Sequence, residues 1–319
     1  MIRWVGIDEA GYGPNLGPLV MTAVVLEGPD DRPPDVWGDL PRSVDRAWGA
    51  SDRLWVDDSK QVYKGGKGRD RLDASTLATL AATGQNLPRS LGALFQTVGA
   101  GTLDDVELSR WIDRGDPRFP PLSSRTLCEW TVARRPFEGA PWRVVDVRSE
   151  VVGPRRFNDG LAATGSKALV HFASFARLLA HLRATTPENQ NLSIRGDKHG
   201  GRHFYGDLLE AAFPDARVVR GPEGPDLSRY ELIEPTGQRL TLSLAPRADA
   251  DDGAVALASI VSKALREHWM DAFNAYWLSR ISGLKPTAGY PVDAARFRRS
   301  IEADCLNQGL SPADWWRLK

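Results

Sequence analysis

Apolar residues open the chain in two short blocks, 2–7 and 20–26, divided by a stretch dense in Gly and Pro. Blocks of that length, rich in Val and Ile, predict a hairpin-like pair of strands. Residues 28–50 lose all period and read as a surface excursion. A helical period spans about 73–82, residues 91–98 read as a strand, and short helices are expected near 103–113 and 123–133. A strand is predicted at 142–147. From 161 to 183, Ala, Leu and Phe recur on one helical face. Residues 192–197 form a strand ending on an acid, and 207–213 a helix. Two further runs, 230–234 and 239–244, flank Pro235-Thr236-Gly237, a hairpin signal. Long helices are predicted at about 254–276 and 292–305, with a Pro-initiated turn from Ser311. No repeat or low-complexity tract appears. Strands cluster early and again in the middle, each cluster followed by long helices, which predicts an α/β layered domain.

At 319 residues the chain is long enough to bury a sizeable core. Lys plus Arg equal Asp plus Glu at 41 each, so no global basic field advertises nucleic acid, and such a partner must be met by local patches. The two cysteines, Cys128 and Cys305, lie far apart and outside metal-ligand spacing, and read as thiols in a reducing compartment. The chain reaches a charged segment by Asp8, which leaves no room for a signal peptide, and no run approaches the ~18 apolar residues of a membrane helix. A cytoplasmic protein is expected.

The candidate chemistry begins at Asp8-Glu9, adjacent acids at the end of an apolar run, followed by Gly11-Tyr12-Gly13. Acids beside a glycine turn can hold a divalent cation where a polymer backbone approaches closely. Neighbouring side chains on a regular strand point to opposite faces, so the pair shares one site only if the strand ends or bulges there. Asp197 ends a later strand. Asp249, Asp251 and Asp252 precede Ala258-Ser259-Ile260-Val261-Ser262-Lys263. Hydrolysis of a phosphodiester needs a deprotonated water and a stabilised leaving alkoxide, which two Mg²⁺ ions about 4 Å apart provide from hard oxygen ligands. Unpaired carboxylates converging in one place repel one another unless cations sit among them.

In wording, these segments resemble the ribonuclease HII family, over about half of the chain: residues 1–60, roughly 150–200, and 245–300. The resemblance implies a ribonuclease H-like fold, a mixed central sheet of about five strands with helices on both faces and the acids at the carboxyl ends of central strands. It implies four catalytic, metal-binding acids: Asp8, Glu9, Asp197 and a fourth. Asp249, ten residues before Ser259 and in an Arg247-Ala248-Asp249 triplet, is the choice, with Asp252 in reserve. Phe157-Asn158 matches a weaker family segment.

On the substrate side, the family's glycine turn senses a ribose 2′-OH, the group that separates RNA from DNA locally. Gly11, Tyr12 and Gly13 occupy that place, with Tyr12 where the family carries a basic residue. Tyr290, in Thr287-Ala288-Gly289-Tyr290-Pro291, matches the tyrosine that packs on the junction sugar. Ser59 and Lys60, in Asp57-Asp58-Ser59-Lys60, match a loop facing the nucleic-acid backbone, extended by Lys64, Lys67 and Arg69. Lys198, His199 and Arg202 follow an acid on a Gly-rich turn, where cations can touch a phosphate. Lys263 and Arg266 lie on one helical face beyond Ser259.

The expectation is a single catalytic domain over 1–319, with insertions at about 99–141 and 205–240 and C-terminal helices from about 254. It would be a monomeric endonuclease using Mg²⁺ or Mn²⁺ in a two-metal site. Its substrate would be the RNA strand of RNA–DNA hybrids or ribonucleotides embedded in duplex DNA. The rivals are a nuclease of the same fold indifferent to the 2′-OH, favoured by Tyr12, and a nucleic-acid-binding protein with a relic site. A nucleotide-binding Rossmann domain is excluded, because the glycine turn opens into a second apolar run rather than a helix.

Overall fold

The computed structural model describes residues 1–46 and 53–318; the end of the 28–50 excursion, residues 47–50, lies outside them. Strands β1 (Ile2–Ala10) and β2 (Leu19–Gly28) pair antiparallel from Ile2↔Gly28 to Ala10↔Val20. A small parallel ladder, β3 (Val44–Asp45) with β4 (Leu54–Trp55), stands apart. Four helices follow: α1 (Ser59–Val62), α2 (Gly68–Ala82), α3 (Leu91–Thr97) and α4 (Arg125–Ala133). Then come β5 (Arg143–Val152), α5 (Pro154–Thr164), α6 (Lys167–Thr185), β6 (Leu192–Asp197) and α7 (Gly206–Ala212). The remainder is β7 (Arg217–Glu223), β8 (Ser228–Ile233), β9 (Arg239–Ala245), α8 (Ala248–Asp251), α9 (Gly253–Leu278) and α10 (Pro291–Asn307).

The main sheet has the order β5-β2-β1-β6-β9-β8-β7. β1, β2 and β5 are antiparallel neighbours, β1, β6 and β9 run parallel, and β8 and β7 return antiparallel. This is a mixed α/β architecture, a mixed sheet with helices on both faces, as the resemblance implied. It has seven strands where about five were expected. The difference lies in residues 205–240, which extend the sheet with β7 and β8 instead of sitting outside it.

Side-chain parity along the strands sorts the two cores. Val20, Val24 and Leu26 of β2 join Leu257, Val261 and Leu265 of α9, while Met21, Ala23 and Val25 join Phe172, Phe175 and Leu179 of α6. Val5 and Ile7 of β1 face α6, so Gly6 faces α9. A Cβ on Gly6 would lie 2.1 Å from the carbonyl carbon of Ala254, so only glycine lets the first turn of α9 rest on β1. The 99–141 segment folds over the outside of α9. Trp111 packs edge-on against Phe273 and Tyr276, and Trp269 Nε1 donates to the Val106 carbonyl at 2.9 Å.

Several elements depart from the sequence expectation. Residues 91–98 form a helix rather than a strand: Ser90 caps it by accepting from Ala93 N, and Leu91, Leu94, Phe95 and Val98 bury one helical face. The 103–113 helix reduces to a short 3₁₀ turn, Ser109–Trp111, after Glu107 takes a positive φ of 56°. The 161–183 helix is two, broken where Gly165 ends α5 in the left-handed conformation. Among the described residues, no helix is long and apolar enough to cross a membrane, and both cysteines are buried and unpaired.

Candidate active site

β1 does not end at Ile7. Its ladder continues through Asp8↔Thr22, Glu9↔Met21 and Ala10↔Val20, so the strand neither stops nor bulges at the acid pair. Parity then sends the two side chains to opposite faces. Asp8 turns toward α9, where it is buried and its carboxyl takes a hydrogen bond from Ser259. Ser259 Oγ in turn lies 3.0 Å from Ser59 Oγ at the start of α1. Glu9 turns toward α6, with Oε2 3.5 Å from Nε2 of the buried His171. The strand neither ends nor bulges at the pair, yet Glu9 lies near enough to raise both Asp8 and Asp197.

Asp197 ends β6, the parallel neighbour of β1, where Ile7 pairs with Gly196. Leu192 and Ile194 face α6, so Asp197 shares the α9 face with Asp8. Its Oδ1 accepts from the amides of Lys198 and Arg247, both at 2.8 Å. Asp249 lies on α8, between β9 and α9. Asp252 has a different employment: Oδ1 caps α9 by accepting from Ala254 N and Val255 N, and Oδ2 pairs with Arg195 at 3.2 Å. Of the two candidates for the fourth acid, Asp249 is the one left to the other carboxylates.

The carboxylates act on one another. Burial holds the Asp8 carboxyl well above the usual range, and Glu9 and Asp249 push it further. Burial also raises Asp197, opposed by the Lys198 amide and assisted by Glu9. Asp249 is pushed up to about 6 by burial, with Asp58 and Asp197 adding to the rise and Lys60 opposing it. Among the described residues, no three His, Cys, Asp or Glu side chains gather closely enough to hold a metal ion. The acids therefore form an electrostatic cluster and not a finished cage. In kind they fit a hard divalent cation: every donor is a carboxylate oxygen, and Asp8 and Asp249 are raised first by burial and then by neighbouring carboxylates, both of which a cation offsets.

Around the acids, Lys60 is exposed at the start of α1 and Ser59 is buried against Ser259. Gly11 has φ +91°, and a Cβ there would meet the Pro18 carbonyl oxygen at 2.4 Å. Gly13 is exposed; a Cβ on it would lie 3.9 Å from the ring of the half-exposed Tyr290, so turn and tyrosine adjoin. Tyr12 sits edge-on to His171, with Lys167 Nζ 4.4 Å from its ring centre. Burial, then Glu9, raises its hydroxyl, which Arg202 opposes.

Four expected basic side chains are otherwise engaged. Lys198, one step past Asp197, is buried, and its Nζ donates to the Gly224 carbonyl and, at 2.8 Å, to Ser228 Oγ. His199 is buried edge-on to His171 at 4.4 Å, and burial drives its pKa well down. Lys263 pairs with Glu267 and lies 4.7 Å over the Tyr63 ring. Arg69 likewise pairs with Asp271 and Glu267.

The structure adds residues that the sequence reading did not single out. Asp58 caps α1 by accepting from Lys60 N and raises Asp249. His171 backs Glu9. Asp58 was signalled by its place in Asp57-Asp58-Ser59-Lys60; His171, on a helix more than a hundred residues away, had no local signal.

No family model matches the chain. Among curated proteins, a 1,4-alpha-glucan branching enzyme GlgB of Cereibacter sphaeroides is 34% identical over 97 residues, which make up 29% of this chain and only 13% of that protein. Among solved structures, the RNase HII of Archaeoglobus fulgidus, in its complex with PCNA, is similar at TM-score 0.43 and 16% identity, over 100% of this chain and 96% of that one. The ribonuclease H2 of Pyrococcus horikoshii OT3 is similar at TM-score 0.41 and 16% identity, over 98% and 92%. Bst-RNase HIII in complex with Mn²⁺ is similar at TM-score 0.39 and 15% identity, over 99% and 66%.

Proposed function

We propose that this chain is a divalent-metal-dependent endonuclease, acting on the RNA strand of RNA–DNA hybrids or at ribonucleotides embedded in duplex DNA. The observation that carries the reading is the acid cluster. Asp8 and Asp197 come from parallel neighbouring strands, share the α9 face, and have Asp249 beside them; burial raises all three carboxyls, Glu9 raises Asp8 and Asp197 further, and Asp58 and Asp197 raise Asp249.

Asp8, Asp197 and Asp249 would hold Mg²⁺ or Mn²⁺, and Glu9 adds its field from the other face. When bound, such ions activate a water and stabilise the leaving alkoxide. The chain's own groups do the rest. Ser259 and Ser59 fix the Asp8 carboxyl, and the amides of Lys198 and Arg247 fix Asp197, so neither ligand is free to swing away. Lys60 offers positive charge to a phosphate next to Asp249. The exposed Gly13 and Tyr290 offer a backbone turn and a ring to a sugar.

A cleavage panel tests the reading: a duplex with one ribonucleotide, a continuous hybrid, all-DNA and all-RNA, each with Mg²⁺ and with Mn²⁺. Cutting of the ribose-containing duplexes is expected. Equal cutting of all-DNA would leave a nuclease without 2′-OH dependence, and no cutting with either metal would remove the enzyme.

A further inference from the structure

The glycine turn is held from a point 306 positions away in the sequence. Arg317 is buried; its Nη1 donates to the Gly11 carbonyl at 2.6 Å and reaches that of Gly17 at 3.5 Å, while Nη2 donates to that of Tyr12 at 2.9 Å. Its guanidinium lies 4.3 Å from the Phe157 ring centre. The backbone around it is stitched to the same turn. Leu16 bridges Trp316, Arg317 N donates to the Asn15 carbonyl, and Asn15 Nδ2 donates back to the Arg317 carbonyl. Behind, Asn158 of α5 donates to the Ala313 and Trp316 carbonyls and accepts from Leu318 N. Residues 315–318 thus strap the turn to α5.

Two features set this apart from an ordinary buried arginine. Among the described residues, Arg317 has no carboxylate within ion-pair reach, and the charge beside it is a second buried guanidinium, Arg266, packed under Gly11. The Nε atoms of both lack partners. An unpaired buried cation is costly, and a nearby anion relieves it. The amides of Tyr12 and Gly13, meanwhile, donate to no acceptor among the described residues, so the turn's donors are unspent while its carbonyls are occupied.

We infer that Arg317 is a positioning residue: by holding the carbonyls of Gly11, Tyr12 and Gly17, it presets the turn and thereby sets the affinity for the nucleic-acid substrate. The inference rests on the function proposed above. A guanidinium spans three carbonyls with fixed, planar donors, and an ammonium cannot.

The test is steady-state cleavage of a one-ribonucleotide duplex by the full chain, beside amide hydrogen exchange at residues 11–13. Arg317→Met is expected to raise KM about tenfold with kcat within about threefold, and to speed exchange at the turn. Arg317→Lys keeps the charge but should recover less than half of the loss on a logarithmic scale. An unchanged KM with a lowered melting temperature would reduce the strap to a purely structural brace. Should Arg317→Met not fold, Asn158→Ala loosens the strap away from the turn and is expected to raise KM about threefold; no change there also overturns the inference. If the wild type cuts nothing in the panel, the nuclease proposal fails by itself. Exchange then still judges the strap: unaltered protection of residues 11–13 in either variant defeats it.

Discussion

The side-chain hydroxyl of Ser262 reaches the carbonyl oxygen of Asp8 at 3.0 Å. That bond joins the longest helix of the fold to the backbone of the acid buried beneath it, two turns along from where Gly6 admits Ala254. The same hydroxyl lies 2.8 Å from Thr22 Oγ1, which lies 2.8 Å from Ser149 Oγ. A line of buried hydroxyls therefore runs from α9 through β2 to β5 and ties the Asp8 carbonyl of β1 to the helix.

Removing one member strands the others. Ser262→Ala is expected to lower stability by about 1–3 kcal/mol, because the Thr22 hydroxyl and the Asp8 carbonyl lose a partner where water does not reach. Urea unfolding of the full chain measures it. A loss below about 0.5 kcal/mol would mean that the neighbours re-pair without Ser262.

Asp197→Asn preserves shape while removing the charge that a divalent ion needs. Cleavage should fall by several orders of magnitude, and binding of an uncleaved duplex should stay level or strengthen as repulsion of phosphate falls. Fluorescence anisotropy alongside a cleavage assay separates the two. Retained cleavage would take Asp197 out of the metal site.

Asp249 gives a pH signature. Its carboxyl titrates at about 6 in the fold and near 4 in the unfolded chain. The folded state thus holds this proton more tightly. Below about pH 4 both states carry it and no stability difference arises; as pH rises through 6, the fold gives it up in a buried place next to Asp58 and Asp197 and loses stability. In chelator, Asp249→Asn should therefore melt higher than wild type at pH 7.5, with the gap closing toward pH 4 and shrinking on adding Mg²⁺. A gap independent of pH would show that the crowding is not felt.

Lys60 and Lys198 make a contrasting pair. Lys60 is exposed beside Asp249, and Lys60→Ala should flatten the log–log salt dependence of duplex binding by about 0.9, one phosphate contact. Lys198→Met should leave that slope alone and cost stability instead, because Gly224 and Ser228 lose the buried ammonium. The reverse result would put Lys198 in the groove.

Much of this arrangement was legible in the chain itself. Asp197 stood out because it ends an apolar run, whereas Asp249 was singled out from Asp251 and Asp252 only by the resemblance. Lys198 misled because its charge was read and its parity was not: one residue past Asp197, it points through the sheet. For Asp8 and Glu9 the parity was read, but nothing local told that β2 would keep pairing as far as Ala10. Residues 91–98 failed for another reason. A short apolar run fits a strand or a helix equally, and Ser90, which decides it, acts only through a cap. Arg317 and His171 carry no local pattern, because their partners are distant in sequence.

The contact between Gly11 and Arg317 also orders events in time. At roughly 5–20 residues per second of synthesis, the two emerge on the order of 15–60 s apart. Until the second appears, the chain carries the acids of β1 beside a turn whose Gly11 and Tyr12 carbonyls lack their guanidinium. The turn beside the acids therefore reaches its final shape only after the sheet and helices that lie between the two residues in sequence have been made.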